Sequence, residues 1–245
     1  MLDPVPPAAF LETSMPFATQ TATLPVIRLS VDARSAFLRR TYTHLFLAVA
    51  GFVAFELFLF NAGLAFPIAR GMLSVPWLLI LGAFMVAGWL ARSVAASAAA
   101  PALQYAALGG YVVAQALIFL PVLVIASLRM PGVLPAAALT TVIAFAALTA
   151  VVFVTRQDFS FMRGILMWGG ILALVLIVAA TLFGFELGVF FSVAMVAFAG
   201  AAILYDTSNV LHHYPEDRAV GAALELFASV ALLFWYILRL FMSRR

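Results

Sequence analysis

Three carboxylates lie in stretches of the chain that are otherwise apolar, namely Glu56, Asp206 and Glu225. Asp206 and Glu225 are symmetric about the Pro215–Glu216 bond, so a helical hairpin that turns there places both at the same depth, ~10 Å from its closed end. Ser229 follows Glu225 by one helical turn on the same face. Two carboxylates that meet in a medium of low dielectric do not both ionise readily, so they share a proton and respond to pH. The spacing therefore predicts a pH-responsive latch of Asp206, Glu225 and Ser229.

The same side chains suit a second kind of chemistry, because hard divalent cations bind oxygen ligands. Asp206, Glu225 and the amide of Asn209 could contact calcium transiently along one path. The alternative for each of them is a structural contact that only fixes helix packing, or a side chain that reaches the membrane surface.

A second predicted contact joins Glu56 and Arg239. Glu56 lies late in the first apolar stretch and Arg239 lies late in the last one, so both fall in the outer half of their segments. An ion pair between them would offset the cost of burying each charge. Arg239 could instead extend outward to the membrane surface. The prediction is a structural ion pair, with the extended arginine as its alternative.

The elements that hold these residues follow from the composition. Of 245 residues, 66% are hydrophobic and 9% are charged, and the mean hydropathy is +1.16, so a water-soluble domain could not make its surface polar. The chain has no cysteine, which excludes disulfides, thiolate metal sites and cysteine nucleophiles. All 13 basic residues are arginine, so a retinal Schiff base to lysine is excluded. The composition predicts an all-α integral membrane protein that does not bind nucleic acid.

Seven apolar segments are long enough to cross a bilayer as helices, which takes roughly 20 residues. Proline, glycine or charged residues separate them. The segments run over 42–62, 75–92, 102–127, 131–155, 161–183, 187–212 and 219–242. Residues 1–35 are polar and contain proline, which predicts a flexible cytoplasmic N-terminal tail ahead of a membrane domain over 36–245.

Arginines in the short loops favour a cytoplasmic N-terminus. With that orientation the cytoplasmic side holds Arg28, Arg34, Arg39, Arg40, Arg92, Arg156, Arg163 and Arg218. The opposite side holds Arg70, Arg129, Arg239, Arg244 and Arg245. The C-terminal cluster argues against an odd number of spans, so the alternative to seven full spans is one re-entrant segment.

The sequence shows no set of residues typical of a catalytic centre. A nucleophile with its base, a glycine-rich phosphate loop and a two-histidine metal motif are all missing. Two intramembrane carboxylates could suggest an aspartyl protease, but the paired aspartate motifs of such enzymes are absent. We therefore expect no enzymatic activity and no cofactor apart from transient calcium.

Four pieces of the chain together resemble the transmembrane Bax inhibitor motif family, also called the Bax inhibitor family. They are FLRRTYTHLFLAVAGFVAFE in the first span, TRQDFSFMRGIL between the fourth and fifth, AAILYDTSNVL in the sixth and ALELFASVALLFWYILRLF in the seventh. The Thr-x-x-Asp-Phe-Ser of the loop and the Tyr-Asp-Thr of the sixth span are the most specific parts. The resemblance covers about residues 36–245 and is typical of bacterial members.

The resemblance implies a seven-helix bundle with the last helix at its centre and a role as a pH-sensitive calcium leak. The last span is apolar on every face apart from Glu225, Ser229 and Arg239, as a helix buried all round should be. In leak-type members the Tyr-Asp carboxylate, here Asp206, pairs with an aspartate of the last span, and Ser229 stands at that position. Serine can donate a hydrogen bond to Asp206 but cannot share its proton, so Glu225 would have to substitute from one turn away. The resemblance also implies the outer contact of Glu56 with Arg239.

Two functions remain open from the sequence. The first is a calcium-permeable, pH-modulated leak in which Asp206 is the pore latch. The second is a non-conducting interaction protein that binds and modulates a membrane-bound protease, as some bacterial members are implicated in doing. The bacterial appearance of the family and the absence of sorting signals predict a multi-pass protein of the cytoplasmic (inner) membrane, with the lipid bilayer and calcium ions as its other partners.

Overall fold

The computed structural model describes residues 25–96 and 100–243, and within them the chain is almost entirely helical. The eight α-helices are α1 (Val31–Asn61), α2 (Ala65–Leu73), α3 (Trp77–Ala96), α4 (Pro101–Arg129), α5 (Val133–Thr155), α6 (Met162–Phe183), α7 (Gly188–His212) and α8 (Ala219–Met242). Seven of these, all except α2, are long and apolar enough to cross a membrane. The predicted all-α bundle of seven membrane spans is therefore confirmed.

The observed helix ends follow local signals. Ser30 caps α1, since its side chain accepts a hydrogen bond from the Ala33 amide at 3.3 Å. Pro101 stands in the first turn of α4, where a missing amide hydrogen costs nothing. At the end of α6, Gly184 has a left-handed backbone (φ 73°), which glycine adopts without steric cost and which turns the chain towards α7.

Two boundaries differ from the sequence prediction. The first helix begins at Val31 rather than at residue 42, because its capped, arginine-rich first turns continue the apolar span without a break. The stretch AFPIARGM, predicted as a break, lies wholly within the short helix α2, where the proline occupies the first turn. A search for apolar segments detects the part of a helix that lies in the bilayer, but it does not detect helical turns outside the bilayer.

Helix α8 lies at the centre of the bundle, as predicted. It packs against α1, α3, α4, α5 and α7, and fifteen of its residues are buried, counted from Ala219 to Leu238. Helix α6 lies at the edge, since Ala173 is its one buried residue and it packs mainly on α7. The ordinary polar-outside pattern does not apply, because the outer faces of such a bundle contact lipid.

The helix connections lie at two opposite ends of the bundle. Consecutive spans run in opposite directions. One end of the bundle, here called the proximal end, holds the start of α1, the end of α3, the start of α4, the α5–α6 loop (156–161) and the α7–α8 loop (213–218). The α1–α3 connection, the α4–α5 turn, the α6–α7 loop (184–187) and the end of α8 share the other, here called the distal end.

The segment before α1 packs on the proximal end. Val26 is fully buried, its amide donates to the Tyr214 carbonyl at 2.9 Å, and Pro25 forms an isolated β-bridge with Pro215. A flexible tail was predicted over 1–35, but the structure places 25–35 in a short 3-10 turn and the start of α1. The rest of that predicted tail, 1–24, lies outside the described residues.

Candidate functional site

The hairpin of α7 and α8 brings Asp206 against the central helix. The Ser229 hydroxyl donates a hydrogen bond to the Asp206 carboxylate, with 2.5 Å between Oγ and Oδ2, and both side chains are buried. The contact spans the two helices of the hairpin, so it holds α7 to α8.

Glu225 lies one turn nearer the proximal loop and faces the same space. Its carboxylate is close enough to Asp206 to interact electrostatically, and it is hydrogen-bonded by the side chain of Tyr214 from the α7–α8 loop. Burial, and then the negative charge and hydrogen bond of Glu225, raise the pKa of the Tyr214 hydroxyl well above its ordinary value. Tyr214 therefore stays a neutral donor and fixes the position of Glu225.

Arg92 approaches the same group from α3. It lines the cavity beside Asp206 and acts on that carboxylate electrostatically. The carboxylates thus have both a like charge and an opposite charge nearby. Neither Tyr214 nor Arg92 was singled out from the sequence as part of the latch. An arginine within the last turn and a half of an apolar span was the available signal for Arg92, whereas Tyr214 depends on the loop conformation.

A cavity of about 1730 Å³ connects this group with the distal end. At the proximal end its walls include Asp206, Asn209 and Glu225, and at the distal end they include Glu186 and Arg239. Helices α3, α4, α6, α7 and α8 all contribute to the lining. The predicted calcium contacts Asp206, Glu225 and Asn209 therefore face one continuous space.

These oxygen atoms do not form a closed metal centre. Over residues 25–96 and 100–243, no group of three or more histidine, aspartate and glutamate side chains is arranged to hold a metal ion. Asp206 and Glu225 supply two carboxylates, and Asn209 supplies an amide one turn along α7 from Asp206. Two carboxylates and an amide that line an open cavity suit a passing cation better than a resident one.

The structure does not form the predicted ion pair of Glu56 with Arg239. Glu56 is buried, and neither of its carboxylate oxygens has a hydrogen-bond partner among the described residues. Arg239 is exposed on the cavity side of α8, close to Trp235 and Ser243, whereas Glu56 does not line the cavity. The two side chains do not meet, because α1 and α8 turn them in different directions.

A further proximal contact joins the α5–α6 loop to α7. The Ser208 hydroxyl accepts from the Phe159 amide at 2.9 Å, and His213 Nε2 lies 2.8 Å from Asp158 Oδ2. Burial slightly opposes ionisation of Asp158, but hydrogen bonds from Ser160 and His213 outweigh it and lower the pKa of this carboxyl. The loop motif TRQDFS thus contacts the helix that carries Asp206.

Comparison with known proteins agrees with this architecture. A family model described as "Inhibitor of apoptosis-promoting Bax1" matches residues 34–245. The chain belongs to the Bax inhibitor family. An uncharacterized protein of Pseudomonas aeruginosa is 32% identical over 113 residues, which are 45% of this chain and 50% of that protein. The chain spans about half the length of this relative. Membership of the Bax inhibitor family suggests a membrane protein involved in ion or calcium homeostasis.

Proposed function

We propose that this Bax inhibitor family protein is a pH-modulated calcium leak, with Asp206, Ser229 and Glu225 as its latch. The observation that carries the proposal is the buried Ser229–Asp206 hydrogen bond at the head of a cavity that extends to the distal end. The proximal end faces the cytoplasm in this proposal, and the membrane is the cytoplasmic (inner) membrane. Calcium passes the oxygen atoms of Asp206, Glu225 and Asn209 in turn, without a resident site.

The latch works through repulsion between carboxylates in a medium of low dielectric. With one proton on the Asp206–Glu225 pair, the two side chains tolerate each other and Ser229 holds α7 against α8. Loss of that proton leaves two negative charges near each other, which loosens the proximal end of the hairpin and attracts cations. Arg92 reduces this repulsion and Tyr214 limits the movement of Glu225, so the response is graded. Calcium flux should therefore rise with pH.

Calcium flux into proteoliposomes, measured with an enclosed indicator dye at several pH values between about 6 and 8, tests the proposal. Asp206→Asn keeps the shape of the side chain and removes its titration, so flux through this variant should no longer depend on pH. Glu56→Gln is the matched control, because it neutralises another buried carboxylate that does not line the cavity. The control should keep the pH dependence of the parent.

Two results would count against the latch. The first is an Asp206→Asn protein whose flux follows pH as the parent does, which would make Asp206 a packing residue. The second is a folded parent with no flux at any pH. That outcome would favour the non-conducting interaction protein that modulates a membrane-bound protease.

A further inference from the structure

The cavity is bordered by α3 and α6, two spans that are little enclosed by protein. Helices α3 and α6 form its two sides and make few contacts with each other, while α8 forms its floor. Its middle section is lined by apolar side chains of α3 and α6, including Leu81, Met85, Leu174 and Ile177. We call this space between α3 and α6 the lateral groove. We infer that the groove is open to the bilayer between these two spans, since they make few contacts with each other.

The size and the lining of the lateral groove limit what can occupy it. Its volume, about 1730 Å³, exceeds the roughly 300–1,000 Å³ typical of pockets for small metabolites or drugs. An apolar space does not hold ordered water well, because water needs polar partners there. The floor runs from Arg218 to Arg239 along α8, which corresponds to ~30 Å at the rise of an α-helix. A long, apolar occupant with a polar end fits these dimensions.

The proximal end of the groove is basic. Arg92 comes from the end of α3, Arg163 from the start of α6 and Arg218 from the residue before α8, and all three line the groove. The ion pair found among residues 25–96 and 100–243 joins His213 to Asp158, so none of these arginines takes part in one. Arg218 Nη1 donates to the Ala96 carbonyl, while its Nε is buried without a hydrogen-bond partner.

Negative groups also face the groove, but they lie deeper. Glu225 follows Arg218 by seven residues, or ~10 Å along α8, and Asp206 is hydrogen-bonded by Ser229 at a similar depth. Arg92 acts electrostatically on Asp206 and Arg218 Nη1 donates to the Ala96 carbonyl, which leaves Arg163 and the second terminal nitrogen of Arg218 available to a ligand. Guanidinium groups bind phosphate through paired, charge-assisted hydrogen bonds.

We propose that a phospholipid with an anionic headgroup occupies the lateral groove. Its phosphate lies between Arg163 and Arg218, within reach of Arg92, and its acyl chains extend along the apolar sides of α3 and α6. The proposal does not rest on calcium conduction, because it is argued from the apolar middle section and the basic proximal end of the groove. It assigns a ligand to a space that is otherwise apolar at its middle and positively charged at one end.

Native mass spectrometry of the full chain, purified in detergent with equal amounts of phosphatidylglycerol and phosphatidylcholine, measures the preference directly. The parent should retain phosphatidylglycerol over phosphatidylcholine by roughly tenfold, because both lipids carry the phosphate but the choline cation of phosphatidylcholine is repelled by the arginines. In Arg163→Gln/Arg218→Gln the ratio should fall close to one. Arg39→Gln is the matched control, since this arginine is exposed at the proximal end and does not line the groove.

A second measurement requires no change to the arginines. The chain has four tryptophans, of which Trp77 and Trp235 line the groove and Trp89 and Trp168 are exposed on the outer face. In a Trp89→Phe/Trp168→Phe protein, phosphatidylglycerol with brominated acyl chains should quench the remaining fluorescence at lower mole fractions than brominated phosphatidylcholine does.

The two measurements decide between the sources of the phosphate. Equal retention of the two lipids by the parent, or the same loss of preference in Arg39→Gln, would overturn the proposal. So would equal quenching by the two brominated lipids. Inorganic phosphate can be added to the mass-spectrometry sample. If phosphate binds the parent and not Arg163→Gln/Arg218→Gln, while lipid retention stays unchanged, the arginines form an anion site without a lipid and the proposal is overturned.

Discussion

The proximal and distal ends of this bundle are held together in different ways. At the proximal end, hydrogen bonds join elements that are far apart in the sequence: Val26 to Tyr214, Phe159 to Ser208 and Arg218 to Ala96. At the distal end, the loops are closed by local bonds, such as the Gly63 amide to Phe60 and the Gly184 amide to Ala180. Apolar packing against α8 is common to both ends.

The difference also appears in the two buried carboxylates. Asp206, towards the proximal end, accepts a hydrogen bond from Ser229, whereas Glu56, in the distal half of α1, has no partner for either oxygen among the described residues. A buried polar group without a partner costs about 1–3 kcal/mol, and a partnered one contributes to a defined geometry. The proximal end is therefore the part of the molecule built to hold one arrangement of side chains.

The largest expected effect comes from detaching the segment before α1. Val26→Asp places a carboxylate at a site that is 0% exposed, and burying an unpaired charge costs on the order of several kcal/mol. The segment should leave the α7–α8 loop, and the Val26 amide should lose its protection against hydrogen exchange. Thermal unfolding in detergent, with hydrogen exchange of residues 25–30, measures both consequences.

The neighbouring residue provides the control. Ile27 is 54% exposed, so Ile27→Asp should leave both the unfolding temperature and the protection of residue 26 close to those of the parent. Equal effects of the two substitutions would mean that the contact with Tyr214 does not hold the proximal end.

The next largest effects are expected at the two buried carboxylates, Asp206 and Glu56, and they should have opposite signs. Ser229→Ala removes the donor to Asp206 and should lower the free energy of unfolding by about 1–3 kcal/mol. Glu56→Met replaces an unpartnered carboxylate with an apolar side chain of similar length and should raise it by about 1–3 kcal/mol. Thermal unfolding of the two variants in the same detergent gives the comparison. A loss of stability in Glu56→Met would show that Glu56 has a partner after all.

The sequence predicts the spans well because the bilayer imposes one simple rule, an apolar run of sufficient length. It also predicts that Asp206 lies level with Ser229 and Glu225, because the register of a helical hairpin follows from residue count. It does not predict that Glu56 and Arg239 turn away from each other, since helix rotation depends on packing against several neighbours. The contact of Val26 with Tyr214 was missed for a related reason, because a polar, proline-containing segment gives no periodic signal.

A smaller effect is expected where α8 approaches α3 at the proximal end. A Cβ atom added to Gly221 would lie 3.2 Å from the Ala95 carbonyl oxygen, and a backbone atom cannot move aside easily. Gly221→Ala should therefore cost about 1 kcal/mol, at the low end of the range for overpacking. Gly82→Ala, in the distal half of α3, meets no atom within 4 Å and should gain about 0.5–1 kcal/mol, as a helical glycine replaced by alanine does.

Both glycine variants are compared with the parent by thermal unfolding. Opposite signs support a tight proximal contact between α3 and α8. A gain in stability for both would mean that the two helices separate there without cost, and the proximal end would then be no more constrained than the distal end.

The smallest expected effect concerns the exposed contact of Asp158 with His213, whose side chains are 44% and 50% exposed. Because hydrogen bonds lower the pKa of Asp158 below its ordinary value of 3.8, its contribution to stability is complete above that value. The contribution is lost as the pH falls through the lower pKa of the folded protein. Solvent screens such a pair, so Asp158→Asn should cost less than ~1 kcal/mol at neutral pH. Unfolding temperatures of the parent and of Asp158→Asn should converge as the pH falls below about 4.

In the calcium assay, Asp158→Asn shows whether the pH dependence of flux comes from the surface carboxylate of Asp158 or from the buried carboxylate of Asp206. Since Asp158 stays ionised throughout the range from about pH 6 to 8, its neutralisation should leave the pH dependence of flux unchanged, whereas Asp206→Asn should abolish it. A loss of pH dependence in Asp158→Asn would transfer the sensor from the latch to the α5–α6 loop. In that case the proximal hydrogen bonds, rather than the buried carboxylates, would be the feature that responds to pH.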